Sequence, residues 1–218
     1  MESIKESALE PRWVRRKDAR ASELIAAALD LFVERGYAAT RLEDVAACAG
    51  VSKGTVYLYF DNKAELFKAV VREGIVPLIA DAEAALSHYQ GSSGELLRGL
   101  ILGWWRSIGQ TKLLGIPKLV ISEAGNFPEI AKFYSDEVIS RSHSLMADVL
   151  ERGMESGEFR RVDMPSLLHL VMSPMVMLSL WQFSFADHCK HDVNPEATLT
   201  LHVDMLLRGL AADAPIGD

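Results

Sequence analysis

The sequence predicts an all-α protein of 218 residues, with a small N-terminal three-helix domain and a larger C-terminal helical domain. Apolar residues recur with the helical period along most of the chain, and no stretch sustains the alternation of a strand. Capping residues, Gly and Pro mark where successive helices begin and end. Within the N-terminal domain, two short helices have the spacing of a helix-turn-helix.

The first helix is predicted over residues 20–35 and ends at Gly36. Residues 1–19 before it are predicted to form a basic arm, which could contact phosphates or remain a solvated tail. The most basic part of the chain is the segment with Arg12, Arg15, Arg16, Lys17 and Arg20, which only Asp18 opposes.

Two short helices are predicted next, at about residues 41–48 and 53–59. Thr40 and Glu43 have the spacing of a capping box at the start of the first of them. Ser52 can cap the second helix by accepting a hydrogen bond from its first turn. The sequence therefore places a sharp turn between two capped helices.

The spacing of Ala46, Gly50 and Val56 is the one expected of a helix-turn-helix. Gly50 lies in the turn, where a positive φ costs glycine little. Residues on the outward side of the second helix are of types that meet phosphates and base edges. They are Lys53, Thr55, Tyr57 and Tyr59.

The segment GYAATRLEDVAACAGVSKGTVYLYFDNKAELF resembles the DNA-binding domain of the TetR family of bacterial transcriptional regulators. The resemblance runs from about Arg20 to Leu66, and the rest of the chain is similar only in length and order of helices. It implies a homodimer that binds a palindromic operator in double-stranded DNA, and a C-terminal domain that binds a small-molecule effector. It also implies that Thr40, Tyr57 and Lys63 touch the DNA backbone.

Individual contacts follow from side-chain chemistry. Thr55 can meet a base edge or the thymine methyl, and Lys53 can meet guanine or a phosphate. Arg41 can reach either a phosphate or a base. The remaining candidates are expected on phosphates, the Thr40 hydroxyl included. The predicted DNA-binding set is Thr40, Arg41, Lys53, Gly54, Thr55, Tyr57, Tyr59 and Lys63.

A linking helix is predicted over about residues 62–86, capped by Asp61 or Asn62 and bent or interrupted at Pro77. These boundaries give a DNA-binding domain at residues 20–66 and an effector-binding and dimerisation domain at residues 67–218. Later helices are predicted from Ser92 to about 108, at 112–125, from Asn126 to about 156, at 164–186 and from Asn194 to about 211.

The C-terminal domain is rich in aromatic and Met side chains, which can line an adaptable pocket for an apolar or aromatic effector. Core packing is the alternative for any one of them. The predicted pocket residues are Trp104, Trp105, Phe133, Met146, Met172, Met175 and Trp181.

The last two long helices carry apolar residues at helical spacing, and by resemblance they are expected to pair two protomers. Burial inside one protomer is the alternative. The predicted interface residues are Leu167, Val171, Leu178, Leu199, Val203 and Leu206.

The net charge of −7 is distributed unevenly. Residues 1–72 hold 12 Lys and Arg against 11 Asp and Glu, a net charge of +1. Residues 73–218 hold 11 against 19, a net charge of −8. An acidic C-terminal part would face away from DNA and limit non-specific binding.

The chain shows no apolar signal segment, and Cys48 and Cys189 make no disulfide framework, so a reducing cytoplasm is expected. The apolar stretch 167–185 is interrupted by polar residues and is expected to be a buried helix and not a membrane span.

No enzyme site is expected, because a phosphate-binding Gly-rich loop, a nucleophile elbow and an HExxH motif are all absent. No cofactor or metal is expected either. One cluster of metal-type residues matches no zinc spacing and is interpreted as a polar loop. It consists of Asp187, His188, Cys189, His191 and Asp192.

The leading hypothesis is a ligand-responsive repressor released from a palindromic operator by a small apolar or aromatic effector. An activator, or a constitutive DNA-binding regulator without an effector, is the alternative in mechanism. A helical enzyme or a protein-interaction module is the alternative from another class.

Overall fold

The computed structural model describes residues 12–189 and 193–212, with side chains from residue 19 onward. This part of the chain forms eleven α-helices and one isolated bridge between Phe159 and Ala211, so the predicted all-α class is confirmed. The helices are α1 (Arg12–Arg35), α2 (Leu42–Cys48), α3 (Lys53–Tyr57), α4 (Lys63–Gly74), α5 (Val76–His88), α6 (Ser93–Trp104), α7 (Gly115–Glu123), α8 (Pro128–Tyr134), α9 (Ser140–Glu155), α10 (Met164–Ser184) and α11 (Pro195–Leu210).

The N-terminal domain packs α1, α2 and α4 around one aromatic group. The centre of the Phe32 ring lies 5.6 Å from the centre of the Tyr37 ring and 5.7 Å from that of the Phe67 ring. Gly36 and Gly50 have positive φ, at 85° and 66°, and each ends a helix before a sharp turn. The predicted conformation of Gly50 is therefore confirmed.

Five helices follow a residue whose side chain caps them, including the starts expected at Ser52, Asn62, Ser92 and Asn194, whereas α8 follows Phe127 without a side-chain cap. In each of the five the side chain accepts a hydrogen bond from a backbone N–H of the first turn, which satisfies one of the unpaired helix donors. These residues are Ser52, Asn62, Ser92, Asp163 and Asn194.

The predicted capping box of Thr40 and Glu43 is wrong. Arg41 is the residue before α2, and no side chain caps that helix. The Thr40 hydroxyl instead donates to the carbonyls of Leu31 and Gly36, at 3.1 and 2.8 Å. Thr40 therefore ties the end of α1 to the start of α2.

The first helix is longer than predicted, because α1 begins at Arg12. Residues 12–19 of the predicted basic arm are thus helical in backbone, and residues 1–11 lie outside the described residues. The linking helix is interrupted as predicted, since α4 ends at Gly74 and α5 starts at Val76. Pro77 lies in the first turn of α5, where its missing N–H costs nothing.

The C-terminal domain packs α6, α9, α10 and α11 around a second apolar core. Two single π-helical turns, Trp105–Gly109 and Ser135–Ile139, interrupt segments that periodicity predicts as regular helix. A side chain at Gly109 would overlap the Trp105 ring, so this turn needs glycine. Such turns often mark functional sites, and both border the cavities described below.

Helix α10 is long and apolar enough to cross a membrane by length and composition alone. Core helices of globular proteins meet the same criterion. In this fold one side of α10 packs against α7, α9 and α11, but only 28% of its most apolar window is buried, so the expectation of a buried helix is met only in part.

A Gly50→Ala substitution should lower the free energy of unfolding by about 1–2 kcal/mol, because alanine resists a positive φ. No atom lies within 4 Å of the added methyl, so the cost is in the backbone alone. Gly54→Ala is the matched control. It adds a methyl to a helical residue with room beside it, and should stabilise by up to about 1 kcal/mol. Denaturant unfolding of both variants measures the difference, and equal effects would contradict this account.

Candidate DNA-binding surface and effector cavity

Helix α3 is held against α2 by its inward residues. Val45, Ala46 and Val56 are buried at the crossing of the two helices. At the start of α3, the Ser52 hydroxyl accepts the Thr55 N–H at 3.2 Å, and its oxygen lies 2.8 Å from the Thr55 hydroxyl. The rigid turn fixes which side chains α3 presents to the outside.

Lys53 is exposed on α3 but is paired in this conformation. Its Nζ lies 2.5 Å from a carboxylate oxygen of Glu43 on α2, and 5.8 Å from the centre of the Tyr57 ring. The hydrogen bond from Lys53 lowers the pKa of Glu43 below its ordinary value. Lys53 must therefore exchange this carboxylate for a phosphate or a base to contact DNA.

Thr40 is almost fully enclosed, with 1% of its surface exposed. Its hydroxyl hydrogen is engaged by the two carbonyls at the end of α1, so the predicted contact between this hydroxyl and a phosphate is corrected. The physical reason is that a buried carbonyl pair at a helix end requires a donor.

Lys63 has a similar structural task at the start of α4. Its Nζ donates to the carbonyls of Tyr37 and Ala38, at 2.6 and 3.0 Å, and lies 4.5 Å from the centre of the Tyr37 ring. Burial lowers the pKa of Lys63 below its ordinary value. An ammonium has three donors, so one remains for a phosphate.

The other predicted DNA contacts differ in exposure. Arg41, Gly54 and Tyr57 are exposed, whereas Thr55 and Tyr59 are partly buried. Leu58, which directly follows α3 between Tyr57 and Tyr59, is 79% exposed.

Two adjoining hollows lie in the C-terminal domain. The first, of about 350 Å³, lies between α5, α6, α9 and α10. The second, of about 470 Å³, lies between α7, α8, α9 and α10. Trp104, Ser142, Met172 and Met175 line both of them. Each volume is within the range of ligand sites for small molecules.

Four of the predicted pocket residues line these hollows: Trp104, Met146, Met172 and Met175. The other three do not. Trp105 packs into the second apolar core, and Phe133 packs into the first beneath the guanidinium of Arg72. Trp181 borders a shallow outer hollow beside Pro174. Aromatic type and helical spacing alone do not distinguish a cavity wall from a core contact.

Sequence reasoning missed the polar groups of the hollows. The second hollow is lined by Tyr134, Ser142, His143 and His169, and the first has Asp81 beside it. The centres of the His143 and His169 rings are 6.3 Å apart. No sequence motif marks these residues, because they come from separate helices.

The two domains are joined by polar and aromatic contacts around the turn that follows α1. A carboxylate oxygen of Glu123, the last residue of α7, accepts the Ala38 N–H at 3.0 Å. The ring of Phe127 lies 4.7 Å from the ring of Tyr37.

Two ion pairs add to this connection. Arg72 Nη2 lies 2.9 Å from Glu137 Oε1, and Lys112 Nζ lies 2.6 Å from Asp30 Oδ1.

The predicted interface residues lie mostly inside the protomer. All but the half-buried Leu206 are buried in the second core, so that assignment is corrected; the buried residues are Leu167, Val171, Leu178, Leu199 and Val203. The opposite faces of α10 and α11 are apolar and exposed instead. Leu170, Met177, Leu201 and Met205 are between 57% and 65% exposed. Because α10 is apolar on all sides, its periodicity could not indicate which face is outward.

In the cluster of metal-type residues, Asp187, His188 and Cys189 are exposed, and His191 and Asp192 lie outside the described residues. Over residues 12–189 and 193–212 no three His, Cys, Asp or Glu side chains are grouped to hold a metal ion.

Two family models match the chain. The model of bacterial regulatory proteins of the tetR family matches residues 24–70. The model of the C-terminal domain of AefR-like transcriptional repressors matches residues 95–186. Together they include the helix-turn-helix and most of the lining of both hollows.

Curated relatives agree with these matches. The transcriptional repressor KstR2 of Mycolicibacterium smegmatis is 27% identical over 142 residues, which is 65% of this chain and 68% of KstR2. The transcriptional activator FasR of the same organism is 39% identical over 70 residues, so the chain spans about a third of its length.

A solved structure shows the same fold. FadR of Bacillus subtilis, in complex with stearoyl-CoA, superposes with a TM-score of 0.72 at 22% identity, covering 87% of this chain and 98% of FadR.

A Glu43→Gln substitution should strengthen DNA binding roughly 3- to 10-fold at low salt, because it releases Lys53 and removes a negative charge beside the DNA. The gain should shrink as salt screens the charges. Glu65→Gln is the matched control, since Glu65 pairs with Lys68 on α4. A fluorescence anisotropy titration with a labelled duplex measures both variants. Equal affinities for them would argue against a role of Lys53 in DNA binding.

Proposed function

Because the chain belongs to the TetR family of bacterial regulatory proteins, we propose that it acts as a homodimer on a palindromic operator. The chain is a ligand-responsive, DNA-binding transcriptional regulator of the repressor type. We further propose that a small, mainly apolar molecule releases it from DNA, and that it works in the bacterial cytoplasm. The relatives are regulators and not enzymes.

The observation that supports the DNA-binding role is the way in which α2 and α3 pack together. Buried residues and a Ser52 cap hold α3 in place, while Lys53, Gly54 and Tyr57 face outward. A short helix presented in this way can enter the major groove, with its first residues near base edges and phosphates. Activation is the second candidate, since FasR is an activator.

Two features support an effector site in the paired hollows. Apolar side chains make up most of their walls, and Met172 and Met175 can adapt to ligand shape. FadR of Bacillus subtilis holds stearoyl-CoA in a protein of the same fold.

The path from the hollows to the DNA-binding domain runs through α5 and α7. Leu78 and Ile79 of α5 line the first hollow, and α5 follows α4 directly. Pro117 and Val120 of α7 line the second, and the Glu123 carboxylate at the end of α7 holds the turn after α1. A ligand that shifts either helix would reorient α3 relative to the partner's α3.

The dimer is proposed to form through the exposed apolar faces of α10 and α11. Apolar side chains that are this exposed and this close along two helices are typical of an interface. Closed two-fold pairing through one face would cover the same residues on both protomers. Met177 of this face also lines the second hollow, so that hollow borders the contact, whereas α3 lies outside it.

Selection from random duplexes should recover a palindrome, and its affinity should fall steeply with salt because bound phosphates release counterions. Thr55→Ala should relax preference at one or two base pairs, each worth about 1–3 kcal/mol. Lys63→Ala is the contrast and should weaken all sequences alike, because it removes a proposed phosphate contact and the donor to the carbonyls of Tyr37 and Ala38. If no palindrome is enriched, the proposed function is wrong.

Leu201→Arg should convert the dimer to a monomer, because the interface would bury an unpaired charge. Ala85→Arg is the control, since Ala85 is exposed on α5 away from this face. Leu199→Arg, two residues from Leu201 but buried, should instead unfold the protein. Light scattering and circular dichroism separate these outcomes. A native chain that stays monomeric at micromolar concentration would refute the interface.

A further inference from the structure

Tyr134 is the most deeply buried of the polar side chains that line the second hollow. Tyr134, the last residue of α8, is 7% exposed and lines this hollow. Every fully enclosed polar side-chain atom among the described residues has a hydrogen-bond partner. The Tyr134 hydroxyl has no partner there, so its oxygen is not fully enclosed. The residue lines the second hollow, where a ligand can meet it.

The hydroxyl is kept as a neutral donor. Burial alone raises the pKa of Tyr134 well above its ordinary value, with no contribution from a neighbouring charge. A neutral phenol can donate one hydrogen bond and accept others. Because burial removes the hydroxyl from water, a ligand atom that accepts its hydrogen bond gains binding free energy from it.

The charges around the hollows restrict the ligand. Among the residues that the structure describes, no Lys or Arg side chain lines either of them. Asp81 beside the first is exposed and acidic, and His143 and His169 line the second. His169 is also held by its own helix, with Nδ1 2.9 Å from the Pro165 carbonyl oxygen. An anionic head group enclosed here would lose water without gaining a fixed cation.

We propose that Tyr134 is the polar anchor of the effector site, and that the effector is a neutral, mainly apolar molecule with one hydrogen-bond-accepting oxygen. A ketone, an ester or an alcohol on a hydrocarbon frame has this chemistry. The oxygen accepts from Tyr134 in the second hollow, and the hydrocarbon extends past Trp104 and Met172 toward the first. The inference rests on the proposed effector site and specifies its ligand class.

Three probes of nearly equal size test the ligand class. They are 2-acetonaphthone with a neutral carbonyl, 2-isopropylnaphthalene with no polar atom, and 2-naphthoate with a charge. Equilibrium dialysis against the full chain should rank 2-acetonaphthone first and 2-naphthoate last. If no probe binds, or if the carboxylate binds most tightly, the proposed ligand class is wrong.

Tyr134→Phe tests the anchor, because it removes the hydroxyl and keeps the ring. It should weaken 2-acetonaphthone roughly 5- to 100-fold and leave 2-isopropylnaphthalene almost unchanged. Tyr89→Phe is the matched control, since Tyr89 lines neither hollow and should affect no probe. Thermal unfolding checks that both variants remain folded. Equal losses for the two neutral probes would show a packing effect and overturn the anchor.

The operator duplex separates this inference from the proposed function. Ligand and operator must weaken each other by the same factor, since linkage is reciprocal. If an enriched palindrome binds but Tyr134→Phe leaves the effect of 2-acetonaphthone unchanged, only the anchor fails. If no palindrome is enriched, the regulatory function fails whatever the probes do.

Discussion

The turn after α1 is the constraint on which the rest of the structure depends. Its two carbonyls, at Tyr37 and Ala38, accept from Lys63, and its Ala38 N–H donates to Glu123. The ring of Phe127 packs against Tyr37. One short loop is therefore held by the first residue of α4, by the end of α7 and by the residue before α8. Backbone groups left unpaired at this partly buried turn would cost free energy. The hydrogen bonds that pair them come from both domains and therefore join the domains.

This junction explains why two predicted DNA contacts have structural tasks. Thr40 and Lys63 both donate to carbonyls near the end of α1. Buried carbonyls require donors, and side chains at the edge of the DNA-binding surface supply them. The same residues thus set the position of α2 and α3. For Lys63 one donor remains, so a structural and a DNA-binding role are compatible.

The abundant apolar residues of the C-terminal domain serve three different ends. Some fill the second core, as Trp105 and Val171 do. Some, such as Met172, line the hollows, and others, such as Leu201, remain exposed on one face. The same residue types occur in all three places because a protein core, an apolar ligand and a partner protomer each remove apolar surface from water. The few polar atoms among them, such as the Tyr134 hydroxyl, differ because they also require a hydrogen-bond partner.

The sequence by itself determined the all-α class, the helix-turn-helix and most helix starts, because capping, the turn at Gly50 and helical periodicity are local. The tertiary structure alone decided which face of α10 is outward, since a helix that is apolar on all sides has no preferred direction. It also decided that Thr40 is buried, and which aromatic side chains line a hollow. Those outcomes depend on the packing of helices distant in sequence, and no local pattern encodes which residues those helices bring into contact.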